Sequence, residues 1–228
     1  MGETSLHEAV KRWYAQPGDR LEAWVDGYLI DIVRDDQLIE IQTGNFSAIK
    51  AKLENLVRRH PVRLVHPIAQ TKWIVRLDAR GGRVSRRRSP RRGRVEDLFL
   101  ELVYIPHLME EPKFSLEALM VHSEEELIDD GRGSWRRRRW SVNDRRLLDV
   151  VGRAAFSAPA DLRKLLPEAL PEEFTTRELA EALRLRAGIA QKMTYCLRHM
   201  GVLDTIGKRG RARLYSLKRE STTLARLE

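Results

Sequence analysis

The stretch YLIDIVRDDQLIEIQTGNFSAIKAKLENL, residues 28–56, decides how the N-terminal part of the chain folds. Its first two apolar segments alternate as strands do, and Asp35 and Asp36 mark a turn between them. From residue 45 to 60 the apolar side chains instead recur at the spacing of one helix face. The stretch therefore predicts an antiparallel pair of strands followed by an amphipathic helix.

Two carboxylates interrupt the apolar strands, Asp31 in LIDIV and Glu40 in LIEIQ. A buried carboxylate must be paired, solvated or bound to a metal, because a bare buried charge is too unfavourable. On a hairpin that turns at residues 34–37 the two acids can lie side by side. With a nearby amide or carbonyl they would suit Mg²⁺ or Mn²⁺, which can polarise a phosphodiester and activate water. The alternative is a purely structural ion pair with Arg34 or Lys50.

Composition narrows the class of protein. The chain has 228 residues, 42% hydrophobic and 33% charged, which allows one large or two small domains. No segment reaches the ~18 apolar residues of a membrane span, and the first residues lack a signal-peptide pattern. A single cysteine, Cys196, excludes a disulfide framework within the chain. We expect a cytoplasmic protein without a membrane partner.

The positive charge is clustered. Lys and Arg number 42 against 33 Asp and Glu, a formal charge of +9, which favours a polyanionic partner. Residues 79–94 hold eight arginines, including Arg86, Arg87 and Arg88, and WRRRRW stands at 135–140. We predict a basic loop at 79–94 that contacts nucleic acid, with double-stranded DNA favoured and RNA as an alternative. A flexible loop without a defined partner is the other interpretation.

The remaining pattern predicts a helix over 5–15, a strand before residue 27, and strands over 62–69 and 72–78. A helix is expected over 95–105, a strand near 116–122 and a helix over 144–156. The C-terminal part then predicts two helices, 175–185 and 187–200, and a basic hairpin, 202–217.

The second of these C-terminal helices presents a polar, non-acidic face, as a helix in a DNA major groove requires. The sequence TTRELAEAL…YCLRHMGVLDTIGKRGRARLYSL resembles the winged-helix DNA-binding domains of bacterial regulators. Predicted contacts to nucleic acid lie on that face and at the hairpin tip: Arg186, Gln191, Lys192, Tyr195, Arg198, Lys208, Arg209 and Arg211. Use of this domain for protein contact or homodimerisation is the alternative.

The N-terminal order of elements, with Asp31 and the EIQ of residues 40–42, resembles the PD-(D/E)xK nuclease superfamily. The resemblance implies Asp31 and Glu40 as ligands of Mg²⁺ or Mn²⁺, with Glu8 on the first helix as an added acidic ligand. Gln42 stands where the family pattern has lysine. Gln42 is then expected to orient water, and Lys50 or Lys52 to reach back as a substitute; we place Lys50 in the catalytic set.

These observations predict the α/β class, an αβββαβ restriction-endonuclease-like core with a mixed sheet, followed by an α+β winged-helix domain. The expected domains are 1–140 and 141–228. The expected function is a DNA-binding protein with a metal-dependent nuclease domain. The alternative is a non-catalytic transcriptional regulator on a degenerate nuclease-like scaffold.

Overall fold

The structure, a computed structural model, describes residues 5–130 and 140–218. The first six elements follow the predicted order of helix, three strands, helix and strand. They are α1 (Ser5–Tyr14), β1 (Arg20–Val25), β2 (Tyr28–Arg34), β3 (Gln37–Ile41), α2 (Phe46–Leu56) and β4 (Val62–Leu77). The two turns, at residues 26–27 and 35–36, have positive φ at Asp26, Gly27 and Asp35, which Asp and Gly accept readily.

The middle of the chain completes a seven-stranded mixed sheet in the order β1-β2-β3-β4-β6-β7, with β5 paired to β4. β4 runs parallel to β3 and β6, and the other pairs are antiparallel. The elements are β5 (Arg83–Arg88), a 3₁₀ turn (Val95–Leu98), α3 (Phe99–Leu102), a 3₁₀ turn (Pro106–Glu110), β6 (Phe114–Ile128) and β7 (Ser141–Phe156).

Three sequence predictions are wrong in this region. The predicted helix over 144–156 is strand β7, because the long free edge of β6 offers pairing along its length and overrides helical spacing. This strand, expected in the C-terminal domain, completes the large sheet. The two strands predicted over 62–78 are the single strand β4, which continues through a bulge between Ala69 and Thr71. Part of the predicted basic loop is strand β5.

The C-terminal part contains α4 (Pro159–Arg163), α5 (Thr176–Leu183), α6 (Ala187–His199) and a three-stranded antiparallel sheet. The sheet has the order β8-β10-β9, with β8 (Glu173–Thr175), β9 (Leu203–Arg209) and β10 (Ala212–Leu217). Thr175 caps α5 through a reciprocal pair of hydrogen bonds with Glu178. Gly201 follows α6 with φ of +66°, confirming the predicted helix end.

Two apolar clusters cover the two faces of the large sheet. On one face α1 buries Leu6, Val10 and Tyr14 against Ile39 and Val121. On the other face α2, α3 and the C-terminal helices share one continuous core, whose members include Leu64, Phe99, Leu179, Met193 and Cys196. Burial raises the pKa of the Cys196 thiol to about 12, so this residue acts as a small core side chain. No helix within the described ranges is long and apolar enough to cross a membrane.

Candidate functional site

Asp31 and Glu40 meet on the hairpin of β2 and β3. Ile32 pairs with Ile39, so the same register places Asp31 opposite Glu40. At this pair, carboxylates take the place of backbone carbonyls as hydrogen-bond acceptors between the strands. The Ile41 N–H donates to Asp31 Oδ2 at 2.8 Å, and the Asp31 N–H donates to the Glu40 carboxylate. The hairpin thus joins the two acids that the sequence predicts to be neighbours.

The two carboxyl groups have pKa values displaced in opposite directions. Burial, followed by the charge of Asp31, raises the pKa of Glu40 to about 7, against the attraction of Lys52. Burial alone would also raise the pKa of Asp31, but hydrogen bonds from His7 and the Ile41 N–H lower it overall. At neutral pH Asp31 is therefore ionised, whereas Glu40 is poised between its two protonation states.

Lys52 is the lysine that reaches the acids. Its Nζ lies 2.6 Å from Glu40 Oε1 and donates to the Leu29 carbonyl at 2.5 Å. Lys50 instead lies 3.8 Å from Glu54 Oε1. Two residues along a helix turn a side chain through about 200°, so only one of these lysines can face the sheet.

Glu8 and Gln42 are turned to other partners. Glu8 binds Lys11 at 2.7 Å and Arg12 at 2.8 Å, and these cations lower its pKa, Lys11 most strongly. The Gln42 amide donates to the carbonyls of Gly44 and Asn45, which fastens the turn into α2. His7, adjacent to Glu8, is the α1 residue that contacts Asp31, with 3.3 Å between Nε2 and Oδ2. Sequence reasoning missed His7 and listed Lys52 only as a second choice.

The acids supply part of what a hard divalent cation needs. Carboxylate oxygens are suitable ligands, but the Lys52 ammonium already lies 2.6 Å from Glu40 Oε1, so a cation would have to displace it or bind the other oxygen. Within that same part of the chain, no group of three or more His, Cys, Asp or Glu side chains is placed to hold a metal. Among the described residues a cation here would find two carboxylates, Asp31 and Glu40, and would need its other ligands from backbone oxygens, water or substrate.

The arginines of β5 fall into two sets. Arg86 and Arg88 lie over the Trp73 ring at 5.0 and 5.9 Å, Arg86 pairs with Glu124, and Arg88 donates to Thr71 Oγ1 at 3.1 Å. Arg87 is exposed on the opposite face of the strand and has no ion pair within the described ranges. Arg87 is thus the most available of the three for a phosphate. The predicted arginine run at 136–139 lies outside the described residues.

Helix α6 exposes part of its predicted face. Gln191, Tyr195 and Arg198 line a groove of about 820 Å³ between α5, α6 and β10, and the Arg198 guanidinium lies 5.9 Å from the Tyr195 ring centre. Three further arginines line this groove: Arg177, Arg184 and Arg213. Glu181 also lines the groove and pairs with Arg177, so the groove joins an exposed aromatic ring to a lining in which arginines outnumber acids.

One of the predicted contact residues faces the body of the protein instead, and a second has a loose partner there. Lys192 donates to the Leu100 carbonyl at 2.9 Å and lies over the Tyr104 ring, so it fastens α6 to α3. Arg186 lies 3.8 Å from Asp97 Oδ1 while remaining largely exposed. At the hairpin tip Arg209 pairs with Glu178 at 2.7 Å, and Lys208 and Arg211 are exposed. We call Lys208, Arg209 and Arg211 the hairpin cations.

Comparison with known proteins gives relatives but no activity. The family model described as Domain of unknown function (DUF8091) matches residues 4–157, which end at the last strand of the large sheet. An uncharacterized protein of Treponema pallidum (strain Nichols) is 31% identical over 217 residues, covering 93% of this chain and 84% of that relative. No solved structure matches the chain.

Proposed function

The chain belongs to the family Domain of unknown function (DUF8091), and from its own site we propose a nucleic-acid-binding protein that hydrolyses phosphodiesters with Mg²⁺ or Mn²⁺. The juxtaposition of Asp31, Glu40 and Lys52 carries this proposal. It supports a restriction-endonuclease-like core. In that core the lysine of the PD-(D/E)xK pattern would be replaced by Lys52 of α2, because Gln42 occupies the usual lysine position.

Each residue of the site has a separate task in this proposal. Asp31 and Glu40 hold the cation, which would polarise the phosphate and activate a water when bound. Lys52 offsets the charge of Glu40 and stabilises negative charge that develops on the phosphate. His7 holds Asp31 in place, and Gln42 orders the turn that positions α2.

The C-terminal part would supply the contact to duplex DNA as a winged helix. Supporting features are α5 and α6 packed beside a small sheet, the exposed Gln191, Tyr195 and Arg198, and the basic tip of the β9–β10 hairpin. The hairpin cations would contact a phosphate or the minor groove next to the groove that α6 enters. Lys192, turned toward α3, is removed from the proposed contact set.

The decisive experiment compares Glu40→Gln with Glu54→Gln. Glu54 lies on α2, the helix that carries Lys52, but it pairs with Lys50 and His107 away from the site. Linear, nicked, branched and single-stranded DNA, and RNA, are incubated with Mn²⁺ or Mg²⁺. Cleavage by wild type and Glu54→Gln, lost in Glu40→Gln with DNA affinity retained, would support the proposal.

A second candidate function is a non-catalytic regulator that binds DNA on the same scaffold. One observation favours it: an ammonium group already lies 2.6 Å from Glu40, where it neutralises the charge that would attract a cation. DNA binding by wild type with no cleavage of any substrate in Mn²⁺ or Mg²⁺ would support this candidate over the nuclease.

A further inference from the structure

A pocket of about 210 Å³ opens where β4 changes its partner. Along one edge β4 pairs with β3 only up to Val65, which accepts from the Gln42 N–H. Pairing on that edge resumes at Ala69, which accepts from the Gly93 N–H, and continues into β5. The residues of β4 between these two partners form the floor of the opening, which we call the strand-gap pocket.

The far wall of the strand-gap pocket is fixed by close backbone packing. The Gly93 N–H lies 3.0 Å from the Ala69 oxygen, and a Cβ on Gly93 would come within 2.4 Å of that oxygen. Only glycine permits this approach, so the segment that carries Arg91 is held against β4. The pocket is therefore a built feature of the sheet edge.

The lining combines apolar surface from Ile68 and Leu100 with donors and acceptors of both charges. The polar groups are Thr43, His66, Lys72, Arg91, Asp97 and Glu101. Arg91 lies 3.5 Å from Asp97 Oδ2, and Lys72 lies 3.2 Å from Glu125 Oε1, so the cations of the lining are already neutralised, which disfavours a phosphate as the occupant. His66 Nδ1 donates to the Gln42 carbonyl at 2.6 Å, and burial lowers the pKa of His66, so the ring is neutral and its Nε2 is an acceptor.

Resting on the proposed function, we propose that the strand-gap pocket receives one unpaired base of the bound nucleic acid. A base is neutral and planar, and its edge carries both donors and acceptors, which matches a lining of mixed polarity whose cations are already paired with carboxylates. Carboxylates accept from exocyclic amino groups, as Asp and Glu do in reading cytosine. Enzymes that extrude a base hold it in such a close-fitting pocket.

The position of the pocket relative to the acids limits where that base lies in the substrate. Thr43 follows Glu40 by three residues, so their Cα atoms lie within about 11 Å of each other. Nucleotides rise about 3.4 Å along each strand of a duplex. The recognised base is therefore expected within about three nucleotides of a phosphate held at Asp31 and Glu40.

The test measures binding in EDTA, so it does not depend on cleavage. Two duplexes of one sequence are titrated by fluorescence anisotropy, one fully paired and one with a single unpaired 2-aminopurine. Wild type is expected to bind the duplex with the unpaired base about tenfold more tightly than the paired duplex, equivalent to about 1.4 kcal/mol. Its binding should also change the fluorescence emission of the 2-aminopurine. Leu100→Trp, which fills the pocket, should abolish the preference while leaving affinity for the paired duplex.

Matched variants keep the test conclusive. Leu148→Trp adds the same ring at a position that is 45% exposed and should behave as wild type. Thr43→Val preserves shape, removes one hydroxyl, and should reduce the preference even if Leu100→Trp does not fold. Equal affinity of wild type for both duplexes, without an emission change, would overturn this inference alone. Failure to bind either duplex would overturn the proposed function as well.

Discussion

Relative to wild type, Glu40→Gln should gain stability as the pH rises from 5 to 8. The buried Glu40 carboxyl has a pKa of about 7 in the folded protein against 4.5 as its model value. A glutamine keeps the shape of the side chain and does not ionise. The difference between the two proteins therefore isolates the titration of this group.

The sign follows from proton linkage. Between the two pKa values the folded protein binds a proton at Glu40 that the unfolded chain releases, so raising the pH favours unfolding. This contribution is fully present below pH 4.5 and is lost as the pH rises through about 7. From pH 5 to pH 8, a displacement from 4.5 to about 7 reduces wild-type stability relative to the variant by about 2.5 kcal/mol.

Urea unfolding followed by circular dichroism at pH 5, 6, 7 and 8 would measure this difference. Glu54→Gln, on the partly exposed side of α2, is the control and should track wild type across the series. A wild-type minus Glu40→Gln difference that stays constant from pH 5 to pH 8 would refute the argument. It would mean that Lys52 compensates the burial of Glu40 fully.

Three further outcomes are expected. In thermal melts at pH 8, Mn²⁺ should raise the Tm of wild type but not of Glu40→Gln. A cation that binds the folded protein stabilises it, and this binding requires the Glu40 carboxylate. Equal Tm shifts in the two proteins would exclude Glu40 as a ligand. Lys192→Ala should lower the free energy of unfolding by about 1–2 kcal/mol, because it leaves the Leu100 carbonyl without its charged donor. By contrast, Arg198→Ala should weaken DNA binding with little effect on the free energy of unfolding. Changing the three hairpin cations to Ala should weaken binding and reduce the slope of log affinity against log salt by up to about 3, which filter binding across a salt series would detect; an unchanged slope would exclude them as phosphate contacts.

The sequence is sufficient where local pattern and tertiary pairing agree. Alternation in β2 and β3, the Asp-rich turn and the helical spacing of α2 all favour one hairpin followed by one helix, which the structure contains. Asp31 and Glu40 are neighbours because a turn of known length fixes the register of a hairpin. The prediction failed for β7 because this strand is stabilised by pairing with β6, and the periodicity of the β7 sequence does not reveal that partner.

Side-chain partners were harder to predict than elements. Lys50 and Lys52 lie one turn or two into the same helix, and choosing between them needs the rotation of α2 about its axis. That rotation is set by Phe46, Leu53 and Leu56, which are buried against the sheet, and Lys52 lies beside Leu53 and Leu56. Lys192 was misjudged for a related reason: polarity marks it as a surface residue, but α3 packs against that side of α6.

The energetics of the Asp31–Glu40 pair favour a functional explanation over a structural one. A buried ion pair is weak evidence for stability, since apolar or amide groups of similar volume often serve the fold as well. With a pKa of about 7, Glu40 reduces stability at neutral pH, and Lys52 offsets only part of its burial. The neighbouring Asp31 has a lowered pKa. Asp31 is therefore ionised at neutral pH, while Glu40 is poised to change its protonation state. Two neighbouring carboxyls with such divided behaviour are typical of sites that bind cations or transfer protons, which is why Glu40 is the first residue to change.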